Sequence, residues 1–342
     1  MNVISLYEPA WRRLQQWRGK LPHALLLAGP RGLGKRELAD AFVASLLCEQ
    51  GQAGGMACGS CLACRWFEQG NHPDFRLLQP EARKLQEEGE GGEEKARRGG
   101  QQITIEQVRE LDDFFSVGTH RQGLRIILVD PAESLNRSAA NAILKVLEEP
   151  PPDTLFLLLS SEPMRLLPTL RSRCQSLSLS PLEAGLASRV LEEEGIDDPR
   201  GWLALAGGAP ALARELALRG GDEWLDDLLQ VLSGGGRLEV IASAAVLEKR
   251  LKSVKGANPL PRLVDWSQKW LVDLGLALAG RPSRFYLARR TTIEALATAT
   301  SLDKTVRFYQ HLVKLRKESE HPLNMRLFLE QLLFRYRALF VE

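Results

Sequence analysis

The hydrophobic pattern divides the chain into a first half of alternating strands and helices and a second half of helices alone. Short runs rich in apolar residues predict strands at 23–28, 75–78, 126–129, 155–159 and 175–179. Unbroken runs are typical of strands buried on both faces of a parallel sheet. From Ser138 apolar residues recur at helical spacing, and they stop before Pro150 because the residue preceding a proline leaves the helical region. This order predicts a βαβ unit in a parallel sheet.

After residue 181 the periodicity is helical throughout. Helices are predicted at 182–194, 199–206 and 210–218, followed by longer helices interrupted by Gly and Pro. Apolar stripes typical of a core run along three predicted helices: Ile105, Val108, Leu111 and Phe115; Trp266, Trp270, Leu274 and Leu278; and Met325, Phe328, Leu329, Leu332, Leu333 and Tyr336.

Composition limits the possible functions. With 342 residues the chain is too long for one typical core, so two or three domains are expected. A net charge of +2 gives no general attraction for polyanions, so any nucleic-acid contact requires a local patch. The sequence has neither a signal-peptide pattern nor an apolar run long enough to span a membrane. We therefore expect a cytoplasmic protein whose five cysteines stay reduced as ligands or core residues.

A glycine-rich loop follows the first predicted strand. Gly29, Gly32, Gly34 and Lys35 match the phosphate-binding pattern G-x-x-x-x-G-K-[ST], in which backbone N–H groups surround phosphate oxygens and the lysine reaches the outer phosphates. Arg36 stands where that pattern requires the hydroxyl that holds Mg²⁺. The loop is therefore predicted to be a degenerate nucleotide site, with a plain strand-to-helix turn as the alternative.

Four of the five cysteines cluster in sequence. Cys58, Cys61 and Cys64 form two overlapping C-x-x-C steps, and Cys48 precedes them by ten residues. Four thiolates at this spacing can enclose a tetrahedral zinc ion, and a site with four protein ligands is structural rather than catalytic. The alternative is an unmetallated, partly buried cysteine cluster. Cys174, remote in sequence, is expected to pack in the interior.

Three further motifs carry a family resemblance. VDPAESL at 129–135, LKVLEEPP at 144–151 and TLRSRC at 169–174 resemble the clamp-loader branch of AAA+ proteins, strongly in the first half of the chain and weakly in the second. The resemblance implies an α/β AAA+ domain at 1–180, a small helical lid at 181–221 and an all-α collar domain at 222–342. In such a collar, part of the apolar surface serves as an interface between subunits.

The resemblance also implies which catalytic parts are missing. An AAA+ ATPase needs a loop hydroxyl, an acid pair after the central strand and a lid arginine. Asp130 supplies the first acid, but Arg36, Pro131 and Pro210 stand at the other three positions. Glu133 is expected to point elsewhere. We therefore predict no ATP hydrolysis by this chain and weak or absent ATP binding.

One part is intact. Arg173 in the S-R-C triplet matches the arginine that reaches the γ-phosphate of a neighbouring subunit, so it is the predicted catalytic residue, acting in trans. The alternative is that Arg173 forms a surface or domain-linking ion pair. The resemblance implies a hetero-oligomer with the gamma/tau ATPase subunits and the delta subunit of the DNA polymerase III clamp loader. Through that complex the chain would act on a sliding clamp and primed DNA, and on no membrane.

Two other functions remain open from the sequence. The chain could be a working ATPase of the gamma/tau type, or a zinc-dependent DNA-binding module whose basic and aromatic surround is limited to Arg65 and Trp66. The charged segment 80–102 predicts a mobile loop or, alternatively, a docking tail. His120 is expected to be a surface turn residue.

Overall fold

A computed structural model describes residues 3–51, 53–83, 100–116, 123–254, 258–319, 321 and 323–341. The chain divides into two compact units, Met1–Leu186 and Ala187–Glu342. The division into three domains at 180 and 221 therefore stays a prediction. His120 and most of the charged segment, residues 84–99, lie outside the described residues.

A parallel five-stranded sheet forms the centre of the first unit. Its strands are β1 (Ala24–Ala28), β2 (Phe75–Leu78), β3 (Arg125–Val129), β4 (Thr154–Ser160) and β5 (Gln175–Ser178). The order across the sheet is β2-β3-β4-β1-β5. β1, β3 and β4 are buried along their whole length, which explains the continuous apolar run that each contains.

Seven helices accompany the sheet in the described part of this unit. They are α1 (Val3–Leu6), α2 (Glu8–Arg18), α3 (Lys35–Leu47), α4 (Leu62–Glu68), α5 (Ile105–Ser116), α6 (Arg137–Glu148) and α7 (Pro168–Ser172). The predicted βαβ unit is confirmed as β3-α6-β4. Asn136 caps α6 by accepting a hydrogen bond from the Ala139 N–H at 2.8 Å. On α5 the buried face is Val108, Leu111 and Phe114, and Phe115 packs beside it only partly buried.

The topology brings the ends of several strands to one edge. β1 and β4 pair in register from Ala24 opposite Phe156 to Ala28 opposite Ser160. The loop after β1, Asp130 after β3 and Ser161 after β4 therefore meet at the carboxyl edge of the sheet, where open α/β folds place their ligands.

The second unit is helical throughout its described residues. It contains most of α8 (Ala184–Glu193), then α9 (Pro199–Leu205), α10 (Pro210–Leu218), α11 (Leu225–Ser233), α12 (Val240–Ser253), α13 (Leu260–Leu278), α14 (Arg290–Ala297), α15 (Leu302–Glu318) and α16 (Met325–Arg337). None of the helices described in either unit is both long and apolar enough to cross a membrane.

The predicted apolar stripes form the core of this unit. Trp266, Trp270 and Leu274 are buried on α13, and five residues from Phe328 to Tyr336 are buried on α16. The Trp270 indole N–H donates to the Tyr336 hydroxyl at 2.9 Å, and that hydroxyl donates to the Leu232 carbonyl at 2.6 Å. The hydrogen bonds satisfy the polar ends of two large buried side chains.

Candidate nucleotide, metal and arginine sites

The glycine-rich loop has the backbone of a phosphate cradle. Gly32 and Gly34 have φ angles of 80° and 87°, a region that favours glycine, and α3 begins directly after Gly34. Gly29 lies so close to the neighbouring backbone that a Cβ would stand 2.4 Å from the Leu179 carbonyl oxygen. These glycines allow a close turn into the N-terminus of α3, the geometry that phosphate binding uses.

Lys35 is turned into its own loop. Its Nζ donates to the Gly29 carbonyl at 2.8 Å, to the Pro30 carbonyl at 2.9 Å and to Ser161 Oγ at 3.0 Å. Burial lowers its pKa, while the nearby Glu133 and Asp130 act in the opposite direction. Reaching a bound phosphate would require Lys35 to exchange these three acceptors for phosphate oxygens.

A guanidinium group lies against Asp130, the carboxylate at the position of the first acid. Arg36 Nη1 donates to Asp130 Oδ2 at 3.2 Å, and its Nε donates to both oxygens of Asp40 at 3.0 and 2.9 Å. Arg83 Nη2 also lies 3.0 Å from Asp130 Oδ2. Burial opposes the Arg36 charge, but Asp40 and Asp130 outweigh it and raise its pKa. Two fixed positive charges therefore neutralise Asp130.

Glu133 corrects a prediction made from the sequence. It was expected to point elsewhere, yet its Oε1 accepts a hydrogen bond from the Ser161 N–H at 3.0 Å, next to the hydroxyl that Lys35 contacts. Its carboxylate supports the chain directly after β4 and lies near enough to Lys35 to oppose the fall in the pKa of that lysine. Pro131, at the position of the second acid, supplies no group that could orient water.

Pro210 occupies the first turn of α10, where its missing N–H costs nothing. It is buried, and its ring offers no donor to a phosphate. The position predicted for a lid arginine is therefore filled by a residue that begins a helix.

The structure brings the four clustered cysteines together. The Sγ atoms of Cys48, Cys58, Cys61 and Cys64 all lie within 4.8 Å of one another, and those of Cys58 and Cys64 are 3.9 Å apart. Four thiolates bound at about 2.3 Å around one tetrahedral ion stand about 3.8 Å from each other. The cluster needs only small adjustments to reach that spacing.

Backbone N–H groups donate to three of the sulfur atoms, which favours their thiolate form. The Cys58 N–H donates to Cys48 Sγ at 3.2 Å, the Cys61 N–H to Cys58 Sγ at 3.3 Å and the Cys64 N–H to Cys61 Sγ at 3.5 Å. Donors from Ser60 and Cys61 lower the pKa of Cys58 to about 6, whereas burial raises the pKa of Cys64 to about 12. The donor set and its spacing fit a soft divalent metal ion.

The S-R-C triplet is bonded back onto α7. Ser172 Oγ donates to the Thr169 carbonyl at 2.9 Å, and Cys174 Sγ donates to the Leu170 carbonyl at 3.2 Å. Cys174 is partly buried against the sheet core, in line with the predicted interior position, and burial raises its pKa to about 11. The residues on either side of Arg173 therefore fix the end of the helix.

Arg173 projects from this helix end at the surface. Its Nη1 donates to the Thr169 carbonyl at 3.1 Å, and its Nη2 donates to Glu148 Oε1 at 2.7 Å. The side chain is 34% exposed. The surface ion pair considered from the sequence is thus present within the chain, and the Arg173 side chain remains partly exposed.

Two functional candidates were missed in the sequence. Arg83 belongs to a charged segment that favoured a loop, and nothing in its pattern indicated a partner 47 residues away. Glu148 belongs to the LKVLEEPP motif, but two adjacent glutamates gave no sign of which one faces Arg173. Trp66, the aromatic residue beside the cysteines in the DNA-binding alternative, packs edge-on against His72 with ring centres 6.3 Å apart.

Comparisons with known proteins show the family of this chain. The model of the family described as DNA polymerase III, delta subunit, matches residues 9–183. The chain is 35% identical to the DNA polymerase III subunit delta' of Pseudomonas aeruginosa, over 99% of this chain and 98% of that protein. It is 36% identical to the subunit delta' of Escherichia coli, over 60% of this chain and 57% of that one. The Escherichia coli subunit tau is 31% identical over 67% of this chain and 32% of its own length. The match to the family model and the similarity to a subunit delta' over nearly the whole length of both chains show that this chain belongs to the DNA polymerase III delta-prime family.

Proposed function

We propose that this chain is a non-hydrolysing AAA+ component of a clamp loader, supporting the placement of a sliding clamp on primed DNA. It acts as a stator-like subunit of a hetero-oligomer that also contains gamma/tau ATPase subunits and a delta subunit. Its membership in the delta-prime family and its similarity to a tau subunit support this assignment. A protein with this role in DNA replication acts in the cytoplasm.

The observation that carries the absence of hydrolysis is the ion pair between Arg36 and Asp130. Magnesium in P-loop ATPases is held by a loop hydroxyl and a carboxylate. Here the hydroxyl is replaced by a guanidinium group that contacts the carboxylate itself. A cation entering beside Asp130 would face Arg36 and Arg83 at close range, and like charges repel at such distances. Nucleotide binding is therefore weak or absent, and hydrolysis does not occur.

The catalytic contribution of this subunit comes from Arg173, which acts in trans. Its partly exposed guanidinium group presents fixed donors that match phosphate oxygens, and it cannot lose its charge. Delivered to the ATP of a neighbouring subunit, it stabilises the charge that develops on the transferred phosphoryl group.

The cysteine cluster holds one structural zinc ion. Four protein thiolates fill a tetrahedral shell and leave no position for substrate, so the ion orders the segment between α3 and α4. Zinc fits better than harder divalent ions because all four donors are sulfur.

The proposal is tested by ATP turnover and reconstitution. The isolated chain is expected to show no Mg²⁺-dependent turnover above that of Lys35→Ala, and a complex with gamma/tau and delta is expected to load clamps only when this chain is present. Steady turnover by the isolated chain that disappears in Lys35→Ala would favour a working gamma/tau-like ATPase. Undiminished loading without the chain would remove the proposed role.

A further inference from the structure

Arg173 is held at two points of its guanidinium group. Nη1 contacts the Thr169 carbonyl on its own helix, and Nη2 contacts Glu148, the last residue of α6. A guanidinium group carries five N–H donors. These two contacts engage two of them, so three remain to meet the oxygens of a phosphate group.

We propose that Glu148 is a positioning residue for Arg173, holding the guanidinium group at the angle from which it reaches the nucleotide of the neighbouring subunit. This inference rests on the proposed function of Arg173 in trans. The proposal also assigns a role to one glutamate of the LKVLEEPP motif. That motif is not part of the chain's own degenerate nucleotide site.

The surroundings of the pair are fixed on both sides. On one side, Ser172 and Cys174 bond to carbonyls of α7 and hold the end of that helix. On the other side, α6 packs against α7 and is anchored by buried Ile143 and Leu147. The Glu148 carboxylate therefore projects from a rigid element, as a group that orients a catalytic side chain must.

Exposure argues that the pair orients the arginine rather than stabilises the fold. The two side chains are 34% and 48% exposed, and ion pairs as exposed as this add little to stability. An unrestrained arginine side chain, however, samples many rotamers. Selecting the one rotamer that reaches a neighbour's phosphate costs conformational entropy. A partner that restricts the rotamers before assembly removes part of this cost.

The adjacent Glu149 provides a matched control. It is exposed, belongs to the same motif and makes no ion pair with Arg173, both residues being among those described. Glu148→Ala removes the contact, whereas Glu148→Gln keeps an oxygen acceptor on a side chain of equal length but removes the charge. Each variant is assembled with the gamma/tau and delta subunits and assayed with clamp and primed DNA.

Glu148→Ala is expected to lower kcat for ATP by roughly 3- to 10-fold, less than the roughly 100-fold cost of displacing a catalytic group by about 1 Å, with KM nearly unchanged. Glu148→Gln is expected to lie between Glu148→Ala and wild type, and Glu149→Ala at the wild-type rate. In an Arg173→Ala background, Glu148→Ala is expected to have no further effect, because it acts through the arginine.

The outcomes separate this inference from the function on which it rests. If Arg173→Ala lowers turnover but Glu148→Ala does not, the positioning role is wrong and the trans role of Arg173 stands. If Arg173→Ala itself changes nothing, both are wrong. A rise in turnover with Glu148→Ala would mean that the carboxylate restrains the arginine, and an additive loss in the double variant would mean that Glu148 acts elsewhere; either result overturns the inference.

Discussion

Arg36 Nη1 lies 3.2 Å from Oδ2 of Asp130, so two residues 94 positions apart join the start of α3 to the end of β3. In a hydrolysing relative of this fold, the gap between these two positions holds a hydrated magnesium ion. Here the protein supplies the positive charge from its own chain. Arg83 adds a second guanidinium group on the same carboxylate oxygen.

Replacing Arg36 by threonine should partly restore nucleotide binding. Arg36→Thr frees one side of Asp130 and returns a hydroxyl to the loop, so Mg²⁺-dependent binding of a non-hydrolysable ATP analogue should strengthen by about 10-fold, or about 1.4 kcal/mol. Arg36→Thr combined with Arg83→Ala should bind more tightly still. Turnover should remain absent because Pro131 orients no water. Fluorescence titration with and without Mg²⁺ measures the effect.

Arg36→Ala is the control for that experiment, since it removes the guanidinium group without adding a hydroxyl. Equal binding by the threonine and alanine variants would show that the hydroxyl is not the missing element. Tight Mg²⁺-dependent binding by the unaltered chain would contradict the role given to the ion pair.

Metal analysis of freshly purified, unchelated protein should find about one zinc ion per chain, as expected for a site with four thiolate ligands. Cys61→Ser should lose most of the metal and lower the Tm, because metal binding contributes directly to folding. Cys174→Ser is the matched control, since this residue lies outside the cluster and should leave the zinc content unchanged. Metal-free preparations that unfold at the same temperature as metal-bound ones would refute a structural ion.

Arg173→Ala should fold, bind zinc and assemble, yet lower ATP turnover at the neighbouring site by about 10³–10⁵-fold, the range known for arginine residues supplied in trans. Arg173→Lys should restore little, because an ammonium group lacks the planar set of donors. Clamp loading by the reconstituted complex measures the consequence.

Arg171→Ala provides the comparison within the same helix. Arg171 Nη1 contacts Met164 Sδ at 3.2 Å rather than a carboxylate, so its loss should leave loading unchanged. Loading at the wild-type rate by the Arg173→Ala complex would reduce this chain to a passive scaffold.

Tyr336→Phe should destabilise the second unit by about 1–3 kcal/mol, because it leaves the Trp270 N–H and the Leu232 carbonyl buried without their partner. Burial raises the pKa of Tyr336 well above its ordinary value, so its hydroxyl remains a donor across the physiological range. Chemical denaturation measures the change. Tyr309→Phe, at a more exposed position, should stay within about 0.5 kcal/mol of wild type, and equal losses at both sites would refute the argument.

The sequence alone determined the strands and most helices. Strands buried on both faces leave continuous apolar runs in the sequence, whereas helices buried on one face leave apolar residues at helical spacing. β2 was predicted at 75–78 and is observed as Phe75–Leu78, a short segment with three apolar residues between the polar Asp74 and Gln79. Helix α3 begins at Lys35, because Gly34 in a left-handed conformation already ends the loop. The cysteine cluster was also predicted, because two overlapping C-x-x-C steps with a fourth cysteine nearby indicated a shared site, and the four thiols do lie together.

Only the tertiary structure decided what the charged residues contact. Sequence shows that Arg36 replaces a hydroxyl, but its place against Asp130 depends on parallel packing of β1 and β4 and of β4 and β3. Arg83 joins the same carboxylate, and Glu148 rather than Glu149 meets Arg173. Long charged side chains carry no periodic signal, and their partners are set by which elements the sheet brings together. Local pattern therefore predicted the framework of this protein, while long-range packing determined its ion pairs.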